Sequence, residues 1–158
     1  DILNPELRAT YEKYWKLHGA LPQAKARNLQ TWFVNTAKLE KRFADAGGML
    51  MAGSDPTGYG GVIPGFSSKR QIELLVQVDG FSFPQAVKIM SLTAAEFEGR
   101  AKDIGSLAVG KRADLVVIDG DPLKDVTAVE HMPWVFKDGV GYDTAAIFRS
   151  MQGAIGMN

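Results

Sequence analysis

The chain has no cysteine among its 158 residues. That excludes disulfides, thiolate metal sites and a cysteine nucleophile, and it is compatible with a reducing or an oxidising compartment. Histidine is nearly missing too: only His18 and His131 occur, far apart and in no ligand spacing with each other. A catalytic zinc takes three or more protein ligands, mostly histidines, so these two do not make one. Charge of one sign is not in excess, with 18 Lys plus Arg against 18 Asp plus Glu. This balance gives no electrostatic footing for nucleic acid, an anionic membrane surface or a strongly acidic partner. Apolar runs stop at about five residues, against roughly 20 for a bilayer-spanning helix. No signal peptide is recognisable and position 1 is Asp, not Met. The expectation is that something upstream has been removed, which leaves localisation open.

What is present is a core-forming composition, 46% hydrophobic, in a chain the size of one ordinary domain. Asn4-Pro5 reads as a helix entry, with Asn as cap and Pro at the first helical position, and "ELRATYEKYWKL" runs on to Gly19. After a Leu21-Pro22 break, residues 23–46 place Leu29, Trp32, Phe33, Leu39, Phe43 and Ala44 on one stripe at helical spacing, ending at Gly47-Gly48. The stripe predicts a long helix packed on a core, with Glu40 snorkelling at its margin. "MLMA", residues 49–52, is short and apolar on both faces, the pattern of a fully buried parallel strand. It leads to a lone carboxylate, Asp55, and then to a glycine-rich loop.

Further helices are expected over 67–80, with Ile72, Leu75, Val76 and Val78 inward, over 82–92 with Ser82 as cap ahead of Pro84, and over 93–100. From Gly105 the period becomes strand-like, with "DLVVID" and "WVFKDG" separated by Gly and Pro turns, and Trp134, Val135 and Phe136 expected in a sheet core. Asp143 caps a last short helix, and the small-residue tail after it is expected to fray. A single parallel strand has edges and faces that this chain does not obviously cover, so the order of elements reads as the end of something larger.

The residues alone leave Asp55 open between a turn-forming Asp-Pro and a catalytic group. "GYGG" lacks the spacing of a phosphate-binding loop. Asp119, Asp121 and Asp125 do not have EF-hand spacing and read as turn residues. Lys69-Arg70 and Lys111-Arg112 read as surface or turn pairs, and His18 as a helix-end cation.

Two stretches carry a resemblance. "AGSDPTGYGGVIPGFSSKRQIELLVQVDGFSFPQAVKIMSLTAAEFEG" and "DIGSLAVGKRADLVVIDGDPLKDVTAVEHMPWVFKDGVGYD" resemble the C-terminal part of the metal-dependent amidohydrolase superfamily, nearest its imidazolonepropionase and prolidase-like branch. The resemblance covers residues 38 to 143 and implies an α/β fold: the C-terminal portion of a (β/α)8, TIM-like barrel plus strands of a composite β-sandwich. On that basis residues 1–102 belong to the barrel, with its last strand at 49–52; residues 103–142 form sandwich strands; and 143–158 form a C-terminal helix and tail. Asp55 matches the Asp that ends the last strand, a metal ligand and general acid/base in that family, with Gly53 and Ser54 as the small residues before it. Gly105, Gly110, Lys111, Ala113 and Asp114 match the return to the sandwich.

The resemblance makes Gly58, Tyr59, Gly60, Lys69 and Arg70 the substrate-loop candidates, although several branches place His where Lys69 stands. It implies a hydrolase of C–N bonds with a divalent metal, zinc, in a full-length parent. The family's His ligands fall upstream of the Asp, so the isolated chain is expected to hold no metal and to be inactive. The implied partner is the missing N-terminal part or its cleaved fragment; a homo-oligomer stays open, and neither nucleic acid nor membrane is implied. A reading of another class is a non-catalytic α/β module that serves assembly or dimerisation through exposed strand edges.

Overall fold

The computed structural model describes residues 2–18, 23–56, 62–63 and 65–156. Gly19, the Leu21-Pro22 break and the loop residues Gly58, Tyr59 and Gly60 lie outside them. Helix α1 spans Pro5–His18 and starts as its sequence dictates: the Asn4 side-chain oxygen accepts a hydrogen bond from the Leu7 N–H at 2.7 Å. Helix α2 spans Gln23–Asp45. It closes on a left-handed Gly47 (φ 87), with the Gly47 N–H bonded to the Ala44 carbonyl and the Gly48 N–H to the Phe43 carbonyl. That double closure is a Schellman motif, which only a residue without a Cβ enters cheaply.

The expected packing of the α2 stripe does not occur. Trp32 is 66% exposed and Leu39 65%, and Leu29, Phe33 and Phe43 are also exposed; among the described residues of this helix Ala37 alone is buried, while Ala44 packs on the core. No layer among the described residues is wide enough to cover the stripe. Residues 49–52 depart from expectation for the same reason. They form no strand, and Met49 and Met51 are exposed instead of buried. Exposure nevertheless alternates with a period of two, because Leu50 and Ala52 pack on the core while their neighbours face away. A ladder needs a second strand, and the described residues supply none beside this one.

The core sits under α3 (Phe66–Gln77) and α4 (Phe83–Met90). Leu75 (1% exposed), Phe81, Ala86 and Ile89 form its centre, with Ile72, Val76, Leu50 and Ala52 against them. Burying one such leucine stabilises by about 2 kcal/mol. Helix α3 stops at Gln77, short of the expected Gly80, because Gly80 (φ 82) turns the chain so that the Phe81 N–H reaches the Leu75 carbonyl at 3.0 Å. Ser82 begins α4 as expected: its N–H donates to the Gln85 side-chain oxygen at 2.9 Å. Helix α5 (Leu92–Phe97) follows directly.

The β-rich region is a three-stranded antiparallel sheet, β1 (Leu115–Val117), β2 (Trp134–Lys137) and β3 (Val140–Asp143), in that order. Leu115 faces Phe136 and Trp134 faces Asp143. Asp138 (φ 51) and Gly139 (φ 82) form the β2–β3 turn, the positive-φ pair that a two-residue hairpin demands. Val135 and Phe136 are half-buried as expected, but Trp134 is exposed because nothing described covers that end of the sheet. A 3-10 helix at Val126–Glu130 seats Val126 and Val129 against α3, joining the sheet to the helices.

The charged residues of "GKRAD" are structural. The Lys111 ammonium donates to the Ala101 carbonyl and to the Ser106 hydroxyl at 2.7 Å; Arg112 pairs with Asp138 at 2.5 Å; Asp114 accepts from Lys137 at 2.6 Å and from the Asp138 N–H at 2.7 Å. The Lys137 ammonium and that N–H hold the Asp114 carboxyl below the ordinary carboxylate range. Helix α6 (Thr144–Ser150) is capped by Asp143, as expected. The tail is not frayed through Gly156: Ile155 accepts from the Asn4 N–H and donates to the Ile2 carbonyl, both at 2.9 Å.

Candidate active site

Leu50 and Ala52 anchor one side of residues 49–55 on the core, so Met49, Met51, Gly53 and Asp55 alternate onto the open side. Asp55 is exposed at the end of that row. Its φ of 39 lies in the left-handed region, where the strand-like run stops. Aspartate tolerates this region better than most residues, at a cost of about 1 kcal/mol. No hydrogen bond to its carboxylate occurs among the described residues. Beyond Pro56 the chain returns through Ile63, whose N–H donates to the Ser67 hydroxyl at 2.8 Å, to start α3.

Of the other candidates, the described Lys69 and Arg70 pair elsewhere. Lys69 binds Glu130 at 2.6 Å and lies 5.4 Å from the centre of the Phe66 ring, tying α3 to the 3-10 helix. Arg70 pairs with the buried Glu73 and reaches Gln77 at 3.4 Å. A buried carboxylate needs such a partner. Asp125 and Asp121 accept turn hydrogen bonds from the N–H groups of Thr127 and Leu123, the role their spacing suggested. Among the described residues no group of three His, Asp or Glu could hold a metal ion. Asp55 by itself offers one ligand where a catalytic zinc needs three, so this chain's described residues do not fit a complete metal site.

One acidic contact was not legible in the sequence. Glu40 of α2 is hydrogen-bonded to Asp79, just past the end of α3. Burial pushes the Asp79 carboxyl up to about 6, and the charge and hydrogen bond of Glu40 add to the effect. Glu40 also lines a small open cavity of about 200 Å³ with Leu50, Met51, Ala52, Gly53 and Gln71. The only sequence signal was a carboxylate inside an apolar stripe; Asp79-Gly80 read as an ordinary helix end.

Residues 32–140 match the model of the amidohydrolase family, a span that holds Asp55, the core helices and the sheet. The chain belongs to the amidohydrolase family. Among solved structures, a candidate prolidase from Bifidobacterium longum is 32% identical to this amidohydrolase chain, with a TM-score of 0.60 over 73% of this chain and 29% of that one. Phenylurea hydrolase B is 25% identical, with a TM-score of 0.57 over 68% of this chain and 26% of its own. A Xaa-Pro dipeptidase with methionine bound in its active site is 22% identical and shares the fold, with a TM-score of 0.62 over 89% of this chain and 34% of its own. A search of curated protein sequences gives no match. This amidohydrolase chain thus spans 26% to 34% of the length of these solved relatives.

Proposed function

We propose that the chain contributes the acid/base carboxylate, Asp55, to a metal-dependent hydrolase of C–N bonds, with amide, cyclic amide or dipeptide-like substrates. The carrying observation is the position of Asp55: inside the family match, at the end of an alternating row anchored on the core, with its carboxylate free of hydrogen bonds among the described residues. A carboxylate so placed accepts a proton from an attacking water and returns it to the leaving nitrogen. In the full-length parent Asp55 would be one ligand of a divalent metal, zinc in this reading, which when bound would supply activation of that water. Its remaining ligands come from the part of the fold that this chain does not span, so the chain alone is inactive. Gly58, Tyr59 and Gly60 serve as a backbone-permissive substrate loop. Lys69 and Arg70 stay weaker candidates, since each already holds a carboxylate of this chain.

The test is Asp55→Asn in the full-length parent. The expected result is a kcat at least about 100-fold lower with KM little changed; hydrolysis within a few-fold of the unsubstituted enzyme refutes the assignment. The exposed apolar residues of α2 also favour a second reading, a non-catalytic assembly module. In that case Asp55→Asn is silent and the chain forms a stable homodimer.

A further inference from the structure

Aspartate is followed by glycine at Asp79-Gly80, Asp119-Gly120 and Asp138-Gly139. At such a step no side chain on the second residue hinders its nitrogen from reaching the aspartate Cγ. The fold treats these steps differently. The Asp138 carboxylate is taken by Arg112 at 2.5 Å, and the Gly139 N–H is bonded to the Ala113 carbonyl at 3.0 Å. At Gly120 a Cβ would meet that of Ala128 at 3.2 Å, so the neighbouring 3-10 helix closes over that peptide. Gly80 is exposed, and a Cβ there would meet nothing within 4 Å. The N–H groups on either side of it, of Asp79 and Phe81, bond to the Leu74 and Leu75 carbonyls at 3.2 and 3.0 Å, while the Gly80 N–H has no partner among the described residues.

The carboxyl at this step is also set apart, because Glu40 of α2 is hydrogen-bonded to it. Two carboxyl groups in a hydrogen bond must hold a proton between them. No cation competes for it: Lys41, the next residue of α2, is paired with Asp45, and Arg70 of α3 with Glu73. We propose that Asp79-Gly80 is a site of spontaneous isoaspartate formation, with Glu40 holding the Asp79 carboxyl in its reactive, protonated form. The Gly80 nitrogen bonds to the Asp79 Cγ, the amide hydrogen and the Cγ hydroxyl leave as water, and a five-membered succinimide closes. Water then attacks the former main-chain carbonyl carbon of Asp79 and breaks its bond to the Gly80 nitrogen. The backbone now runs through Cβ and Cγ, with the composition of the chain unchanged. Ring closure needs the hydroxyl as leaving group, which an ionised carboxylate lacks. With the Asp79 carboxyl raised to about 6, about half of it carries that hydroxyl at pH 6, against fewer than about one in a hundred for an aspartate at its ordinary value. The extra backbone atom falls in the turn that lets Phe81 reach Leu75, so the modification loosens the core at Phe81.

The test incubates the chain in water enriched in heavy oxygen, at pH 6 and at pH 8, and quantifies heavy-oxygen uptake and isoaspartate at each step by mass spectrometry with electron-transfer fragmentation. At pH 6 the product is expected to accumulate at position 79 at least about tenfold faster than at 119 or 138, and to slow at least about fivefold at pH 8. Glu40→Gln is expected to slow position 79 at least about threefold at pH 6 and to leave 138 unchanged. Asp79→Glu, whose ring would need one more atom, is expected to give no product there. In urea the rates at these steps are expected to converge. A rate at 119 or 138 equal to that at 79, a rate at 79 indifferent to Glu40→Gln, or a ranking that persists in urea overturns the proposal. Faster amide exchange at Phe81 in the modified fraction supports it, and unchanged exchange there overturns the predicted loosening of the core.

Discussion

Replacing Asp79 by Asn is expected to make the chain more stable at pH 8 and to leave it nearly unchanged at pH 4. In the fold the Asp79 carboxyl is raised from 3.8 to about 6, first by burial and then by Glu40. The folded state therefore favours the protonated form. Its stabilising contribution is complete below the unfolded pKa of 3.8 and is lost as pH rises through about 6. A tenfold gain in proton affinity corresponds to about 1.4 kcal/mol, so the rise at Asp79, fully transmitted to folding, would give about 3 kcal/mol. Asp79 is only half-buried, and solvent screening reduces the expected loss to about 1 kcal/mol. Asparagine keeps a donor towards Glu40 and cannot ionise. Its advantage over Asp should open between pH 4 and pH 7 and correspond to about 2–4 °C in Tm. Thermal melts of both forms at pH 4, 6 and 8 measure the difference, which separates this contact from the titration of every other carboxylate. Parallel curves, or an Asn form less stable at pH 8, would falsify the proton-sharing contact between α2 and the end of α3. Glu40→Gln is expected to move stability at pH 8 in the same direction.

Leu75→Ala removes the best-buried large side chain of the core and is expected to cost about 2–5 kcal/mol in urea titrations; a loss below 1 kcal/mol, on the order of a surface substitution, would mean that α3 and α4 do not form the stabilising core. Two glycines of the "GSLAVGKRAD" stretch should respond differently to alanine. At Gly105 (φ 86) a Cβ meets Ala95 at 2.7 Å and the Leu92 Cα at 3.0 Å, whereas at Gly110 (φ 87) it meets nothing within 4 Å. Gly110→Ala carries only the left-handed strain, about 1–2 kcal/mol, and Gly105→Ala should shift the midpoint further; equal shifts would contradict the close packing of this turn on α5. Lys111→Met leaves the Ala101 carbonyl and the Ser106 hydroxyl without their shared donor and is expected to cost about 1–2 kcal/mol, with faster amide exchange over residues 101–106 as the local readout.

Local rules made much of the secondary structure legible. Asn4-Pro5 started α1, Gly47-Gly48 closed α2, Ser82 with Gln85 opened α4, and Asp143 capped α6, each through hydrogen bonds between residues a few positions apart. Asp138-Gly139 set the hairpin by the same logic of backbone conformation. Such contacts are decided within one turn of chain, so the order of residues is enough to specify them. The family resemblance carried by the stretches around Asp55 and Gly105 was legible for a related reason: those patterns are local in sequence.

What tertiary structure decided is which apolar surfaces find cover. The α2 stripe and the Met49–Met51 row have the periodicity of core elements, yet both are exposed in this chain. Periodicity records that a face is apolar; it does not say which chain buries it. The partners of Lys69 and Asp79 were equally hidden, because Glu130 is 61 residues from Lys69 and Glu40 lies on another helix. By itself the sequence determined the helices, the turns and a carboxylate at position 55. Only the fold decided that the carboxylate stands exposed at the end of a row anchored on the core by Leu50 and Ala52, since burial arises between segments that meet in space.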